Sequence, residues 1–407
     1  MSAESVLRRG LGVAVAAATL LLAWPVWTWM RADRIALANP DAAIALVPAH
    51  PQALEQAAAV ALDRGDWAAA EAAARAALSA RPLEERPYRI LAAVFEATAR
   101  DADALAAHRA AVAMSPRNAP SRLWLATRDL GQGRYADALV HIDWALRSDR
   151  TVAGTVFPAL LAGIEIVPFR AALVDALRAD PPWRSGFVTH VANNARSVDA
   201  ALPLFDALAA AGPLPPAEQT PWVARLEREQ RWAEFNRYLG RTGDTAPAAD
   251  LIVDGEFERQ PSGIGRDWRI GRIPGATITL SGNSGRREGG RALTIEFANQ
   301  RVPFDHVRQL LQLAPGRYAV SGEARLDSLR AARGLRWTLS CQSGTALGSS
   351  DLFVGHQAWA PWSFDIEIPA EACGAQWLAL RLDAVGPSEQ LVSGTARFDA
   401  LAIAADP

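Results

Sequence analysis

The sequence predicts a multidomain α-then-β protein: an apolar N-terminal helix, an all-α stack of helical hairpins and a C-terminal antiparallel β-sandwich. Three observations carry that prediction. Residues Gly10 to Met30 contain no charge. Alanines and prolines then recur at a fixed interval of 34 residues between Pro51 and Val152. Beyond Asp250 the hydrophobic pattern changes from the period of a helix to the two-residue alternation of a strand. At 407 residues the chain accommodates two or three domains.

The uncharged run is 21 residues long, which as a helix covers about 31 Å, the depth of a bilayer's hydrocarbon core. Trp24, Trp27 and Trp29 gather at its C-terminal end, where amphipathic rings favour the membrane interface. Pro25, so near that end, kinks the exit of such a helix without breaking its interior. Arg8 and Arg9 precede the run, and Arg31 and Arg34 follow it. Charge bias alone therefore sets orientation weakly, but a short arm (residues 1–9) before a long following chain favours a cytoplasmic N-terminus. The expectation is a single-pass anchor, residues 10–30, in a bacterial inner membrane with the bulk of the chain in the periplasm. A cleavable signal peptide is the competing reading, because Ala36-Leu37-Ala38 has the A-x-A form of a cleavage site. The length of the run, and Arg31, Asp33 and Arg34 between it and that tripeptide, favour retention. Either reading places the remainder outside the cytoplasm.

Composition excludes several function classes. The net charge of −2 gives no electrostatic footprint for nucleic acid. Every basic side chain other than histidine is arginine, so no reaction that needs a Schiff-base or phosphate-binding lysine is available. The only cysteines are Cys341 and Cys373, too few for a CxxC-type zinc or redox site. On the oxidising side of the membrane such a pair favours a disulfide, and closing a loop of that length contributes roughly 3–4 kcal/mol in the chain-entropy model.

Within residues 51–152 the repeat is visible in three series: Ala70, Ala104 and Ala138; Ala77, Ala111 and Ala145; Leu78, Val112 and Leu146. Pro82 and Pro116 keep the step, whereas Arg150 breaks it. Gly65 and Gly133 lie two periods apart with Ala99 between them, and Trp67 and Tyr135 share that spacing across Asp101. The pattern resembles the tetratricopeptide repeat, whose unit is a pair of antiparallel helices. Small residues suit the positions where the paired helices approach closely, and Tyr88, Leu91 and Phe95 fill the adjoining space. Residues 31–50 read as a linker and degenerate half-repeat, with a helix over Asp41 to Pro48. Residues 153–241 read as diverged hairpins, with helices over Phe169–Leu177, Phe187–Ala195, Val198–Ala210 and Trp222–Leu239. A stack of this kind offers a concave groove to a protein partner, or else serves only as a spacer.

Residues 242–250 have linker composition. Beyond them lie eight strand candidates: Ala276–Leu280, Ala292–Phe297, Val307–Leu313, Gly316–Arg325, Leu335–Gln342, Trp362–Ile368, Gln376–Ala384 and Gly394–Ile403. Eight runs divided by Gly, Pro and Ser predict a jelly-roll sandwich over residues 251–407. The opening Ile252-Val253-Asp254-Gly255-Glu256-Phe257-Glu258 resembles the start of galactose-binding-like and type-4/9 carbohydrate-binding modules. Trp268, Gly289-Gly290-Arg291-Ala292-Leu293, Pro315-Gly316-Arg317-Tyr318 and Ala396-Arg397-Phe398-Asp399 extend the likeness. The resemblance implies a sugar site built from flat aromatic faces and polar side chains, for which Trp268, Trp359 and Trp362, with Gln357 and Asp365, are the candidates. The alternative for each tryptophan is packing in the core, the expectation for Trp337 and Trp377. The resemblance also implies a structural calcium held by Glu256, Glu258 and Asp399; no other cofactor is expected.

The six histidines, at positions 50, 108, 141, 190, 306 and 356, form no compact ligand motif, and His108 and His141 fall near packing positions of the repeats. No nucleophile elbow accompanies Asp305-His306. Pairs such as Glu84-Glu85 or Asp365 with Glu367 carry no sign of the fixed separation a glycosidase needs. The expected function is therefore non-catalytic. The architecture resembles accessory proteins of bacterial exopolysaccharide synthesis and export, with repeats docking an envelope protein and the sandwich contacting polysaccharide. A glycan-binding module on a helical spacer and a purely structural envelope protein are the alternatives.

Overall fold

The computed structural model describes residues 23–240, 251–282, 290–371 and 373–405. The expected cytoplasmic arm, residues 10–22 of the expected anchor and the expected linker at 242–250 lie outside the described residues. Among the described residues no helix is long and apolar enough to cross a membrane. The chain forms two compact units, one of Met1–His190 with Ala200–Leu208, the other of Val191–Asp199 with Ala209–Pro407.

The first unit is all helical. It opens with α1 (residues 23–35) and α2 (Pro40–Leu46), followed by α3 (Pro51–Asp63), α4 (Trp67–Ala80), α5 (Glu85–Ala97), α6 (Asp101–Met114), α7 (Ala119–Gly131) and α8 (Tyr135–Ser148). The predicted half-repeat at Asp41–Pro48 is α2, packed through Ala43 against Ala32, Ala36 and Ala53, all fully buried. His50 fastens this corner. Its Nδ1 accepts the Ala53 amide at 3.2 Å as the N-cap of α3, its Nε2 lies 3.5 Å from the Asp33 carboxylate, and its ring lies 5.0 Å from that of Trp29.

The pairs α3–α4, α5–α6 and α7–α8 are the three full repeats. The periodic alanines at 70, 104, 138, 77, 111 and 145 are each no more than 2% exposed, so the absence of bulk at those positions sets how closely each pair approaches. Each pair turns on one left-handed residue, Gly65, Ala99 or Gly133, with φ of 74°, 55° and 71°. The same hydrogen bond closes all three turns: Asp66 to Ala61, Arg100 to Phe95 and Arg134 to Asp129, at 2.9, 2.8 and 2.9 Å. Beyond Val152 lie α9 (Ala153–Gly163), α10 (Val167–Arg178), α11 (Arg184–Asn194) and α12 (Val198–Ala211), the last two divided between the units.

The second unit contains α13 (Pro216–Arg228) and α14 (Trp232–Gly240) together with the β-sandwich. Here the expectation of one helix over Trp222–Leu239 is corrected. Gln230 adopts φ of 55°, and the Arg231 amide reaches back to the Leu226 carbonyl at 2.8 Å, ending α13 and starting a second helix. No glycine or proline marks this break.

Among the described residues ten strands form two sheets: β1 (Arg269–Ile270), β2 (Ala276–Gly282), β3 (Arg291–Arg301), β4 (Val307–Leu311), β5 (Gly316–Ala331), β6 (Leu335–Cys341), β7 (Ala346–Ser349), β8 (Gly355–Ile368), β9 (Gln376–Leu382) and β10 (Leu391–Ala405). One sheet has the order β1-β4-β9-β6-β7, the other β2-β3-β10-β5-β8, and every pairing is antiparallel. All eight predicted strands are present; β1 and β7, too short to show alternation, are additional. The core between the sheets is aromatic, with Phe257, Trp268, Trp337 and Phe398 almost fully buried.

The opening motif closes this sandwich. Gly255 exchanges a hydrogen bond with β10, its carbonyl accepting the Leu401 amide at 2.9 Å, and a Cβ at 255 would lie 1.9 Å from the Leu401 carbonyl oxygen. Asp254, at φ of 51°, accepts the Glu258 and Arg259 amides on its carboxylate and the Trp268 indole N–H on its carbonyl, each at 3.0 Å. Cys341 and Cys373 form a disulfide with a Cα–Cα distance of 5.2 Å, linking the end of β6 to the approach of β9.

Candidate functional site

In the helical unit an apolar groove of about 370 Å³ lies between α7, α9 and the start of α10. Leu123, Thr127 and Leu130 line one wall because spacings of four and three residues bring them to one face of α7. Arg122, Leu125 and Asp129 of the same helix turn into the packed interior, and Ala126, also buried, lines the groove floor. Across the groove stand Val156, Leu160 and Ile166, and Ile166 is 49% exposed. Phe169 forms the end wall, its ring edge-on to Tyr135 at 5.7 Å. Gly163 admits that ring, since a Cβ there would lie 2.6 Å from it. The lining has three hydroxyl-bearing residues, Thr127, Tyr135 and Thr155, and no charge, a surface suited to apolar side chains of a polypeptide.

A second, polar recess of about 360 Å³ is lined by Arg109, Arg128, Arg134, Asp129, Asp137 and His141 among others. His141 Nδ1 lies 3.3 Å from Arg122, and its Nε2 lies 3.8 Å from Asp129. Burial and the neighbouring Arg122 charge push its imidazole below the ordinary 6.5. His108 is likewise lowered by burial, which outweighs its 2.9 Å contact with Glu96, and it stacks on Trp124 at 4.2 Å. Both histidines therefore join packed helices as neutral rings.

The sandwich redistributes the residues expected to bind sugar. Trp268 is 1% exposed, so it is a core residue and not a platform. Trp362 faces the core as well: its ring lies parallel to Trp337 at 6.2 Å and to Phe364 at 6.1 Å, above Gly322 on the paired strand. Trp359, Gln357 and Asp365 share β8 with it, but a register shift between the pairs Ala324–Ala360 and Leu326–Gln357 inserts a residue on β8. Gln357 is thereby placed opposite the buried Leu326 on the core face. Only Trp359 and Asp365 keep the parity of the outer face, and six intervening steps put them about 20 Å apart. They cannot meet on one sugar ring. That leaves Trp359, half-buried, as the aromatic candidate on this face.

Around it the outer face of the β2-β3-β10-β5-β8 sheet is charged. Asp327 accepts from Arg397 and lies 3.5 Å from Arg325. Burial raises the Asp327 carboxyl, but the Arg397 hydrogen bond and the two guanidinium charges prevail and hold it low.

The other sheet's outer face is partly covered by α13 and α14. Arg269 donates to both carboxylate oxygens of Glu227, Gln342 donates to the Glu227 carbonyl at 3.3 Å, and Arg266 bridges Asn236 and Gln312. Leu239 and Trp232 press on Gly265 and Gly374 so closely that a Cβ would lie 2.6 and 3.1 Å from them. Leu310 points away from the core and is nonetheless fully buried. Trp377, predicted to be core, stands on this outer face with the guanidinium carbons of Arg269 and Arg308 at 4.7 and 4.6 Å from its ring. Sequence reasoning missed this docked hairpin; the signal was Leu310, apolar and paired with Trp377 on a face that also carries Arg308.

The expected calcium ligands are not assembled. Glu258 accepts the Arg291 amide at 3.0 Å and Asp399 the Ala400 amide at 2.7 Å. Among the described residues no group of three or more His, Cys, Asp or Glu is arranged to hold a metal ion.

No family model and no curated protein matches the sequence. Among solved structures, a CBM4 module is similar at 17% identity, with 38% of this chain and 99% of that chain covered and a TM-score of 0.29. The Pseudomonas aeruginosa pilF protein is similar at 20% identity over 49% of this chain and 93% of its own, with a TM-score of 0.27. PilW, a type IV pilus biogenesis factor, is similar at 16% identity over 49% and 94%, with a TM-score of 0.25. The assignment of helical repeats followed by a sandwich rests on this chain's own helices and strand pairings.

Proposed function

We propose that the protein is a non-catalytic, membrane-anchored scaffold of the bacterial envelope, N-terminus in the cytoplasm and bulk in the periplasm, that assists exopolysaccharide assembly or export. The observation that carries this reading is the uncharged groove at α7, α9 and α10, open on the helical stack. Its chemistry fits an apolar segment of an envelope protein. The test places a photo-crosslinking residue at Thr127, which is exposed at the groove wall, in cells producing the polymer. A discrete envelope partner is expected to crosslink there, and Leu123→Arg, which projects a charge into the groove, is expected to abolish both the adduct and polymer export. Normal export by a folded Leu123→Arg protein would overturn the reading.

A second reading, a glycan-binding module held on a helical spacer, is favoured by Trp359 alone. Affinity electrophoresis of the full chain in detergent through gels containing the cell's own polymer separates the two. Retardation lost in Trp359→Ala supports glycan contact; equal migration with and without polymer rejects it.

A further inference from the structure

We infer that the helical stack sits directly on the membrane surface, with α1 as the contact and the lipid headgroup layer as its partner. This rests on the membrane-anchored reading above and adds how the anchor joins the rest of the molecule.

The evidence is the two-faced character of α1. Trp29, Ala32, Asp33 and Ala36 follow the spacing of a single helical face. That face is the one that meets the repeats: Ala32 and Ala36 are fully buried against Ala43 and Ala53, and His50 contacts Trp29 and Asp33, which remain partly open to solvent at the rim. Trp24, Trp27, Arg31 and Arg34 occupy the opposite face. Trp24 and Trp27 are 64% and 48% exposed, yet their rings gather at 5.5 Å, and the Arg31 guanidinium lies 5.1 Å from Trp27. Val26 and Met30 flank them, 60% and 54% exposed.

Such an unpartnered apolar face could in principle receive a protein. Two features select the bilayer. The face continues an uncharged stretch of sequence that begins at Gly10, so whatever surrounds that stretch also surrounds Trp24. Its chemistry then changes in a fixed order, from tryptophans to arginines, as the order of a membrane interface requires: rings at the headgroup boundary and guanidiniums among the phosphates. Ala32 and Ala36 already belong to the packed interior, so the short stretch between Trp27 and α2 is pinned to the stack at those two points. The repeats are therefore held at a fixed height and azimuth above the lipid.

The experiment reconstitutes the full chain in phosphatidylethanolamine–phosphatidylglycerol vesicles whose acyl chains carry bromine near the headgroup. The expected result is flotation with the vesicles, quenching of tryptophan fluorescence, and loss of at least half of that quenching in Trp24→Phe/Trp27→Phe, with no loss in Trp359→Phe. A double variant that floats and is quenched as strongly as the unmodified chain would overturn the seating while leaving the anchor intact. Failure of the unmodified chain to float would overturn the anchor and the seating together.

Discussion

Arg269 of β1 grips Glu227 of α13 through both carboxylate oxygens while its guanidinium lies 4.7 Å from the Trp377 ring. One side chain thus ties a helix to a sheet by charge and by stacking. The two partners' side chains are 24% and 12% exposed, so water replaces little of what either would lose. Glu227→Ala is expected to destabilise this unit by about 1–3 kcal/mol, because it leaves a largely covered guanidinium without its counter-charge. Thermal unfolding of the two proteins checks this, and equal midpoints would reduce the pair to a surface contact.

The three repeat turns predict a stabilising change. Ala99 adopts the left-handed conformation that Gly65 and Gly133 adopt at the equivalent positions. A Cβ in that region costs roughly 1 kcal/mol, so Ala99→Gly should raise stability by about that amount while Gly65→Ala and Gly133→Ala lower it. Urea unfolding gives the sign for each; a destabilised Ala99→Gly would show that chain entropy dominates at this turn.

Acid sensitivity should begin above the range of the carboxylates. Burial lowers the imidazoles of His108 and His141 below 6.5, so the unfolded chain binds their protons before the native state does. Their contribution is complete above about pH 6.5 and falls as the pH drops toward the lowered native values. Glu71 and Asp327, also lowered, start from 4.5 and 3.8 and act further down. Stability measured between pH 7 and 5 should decline in the unmodified chain and flatten in His108→Gln/His141→Gln; parallel slopes would remove the histidines from the explanation.

The disulfide joins residues 32 apart, and in the chain-entropy model its loss costs roughly 3–4 kcal/mol. Cys341→Ser/Cys373→Ser should unfold at correspondingly lower denaturant. Non-reducing mass spectrometry of protein recovered from the envelope should find the bond closed.

The tryptophans divide by environment. Trp268→Ala should cost about 3–5 kcal/mol, as expected for emptying a packed aromatic site, whereas Trp359→Ala should change stability by no more than about 0.5 kcal/mol. A comparable loss in both would place Trp359 in the packing as well.

The repeats were legible because packing dictates them: a helix pair that approaches closely needs alanine every 34 residues. The strands were legible for the same reason, through alternation. What was hidden depends on contacts between distant segments. Gln230 ends α13 without glycine or proline, because the bond from Arg231 to Leu226 compensates its backbone. The extra residue near Trp359 transfers Gln357 to the core face, a change that no local pattern announces. Trp268 and Trp359 are indistinguishable as letters; the Asp254 carbonyl that receives the Trp268 indole N–H is fourteen residues away.

The docked pair α13–α14 has a practical corollary for anyone cutting this chain into pieces. A fragment starting at residue 251 would remove Glu227, Trp232 and Leu239 and expose Leu310, Trp377 and the glycines at 265 and 374 to water. Such a fragment would carry a greasy scar where the native polypeptide has a lid. The smallest cassette worth expressing therefore begins upstream of Pro216, and sugar retention by anything shorter would report on the scar.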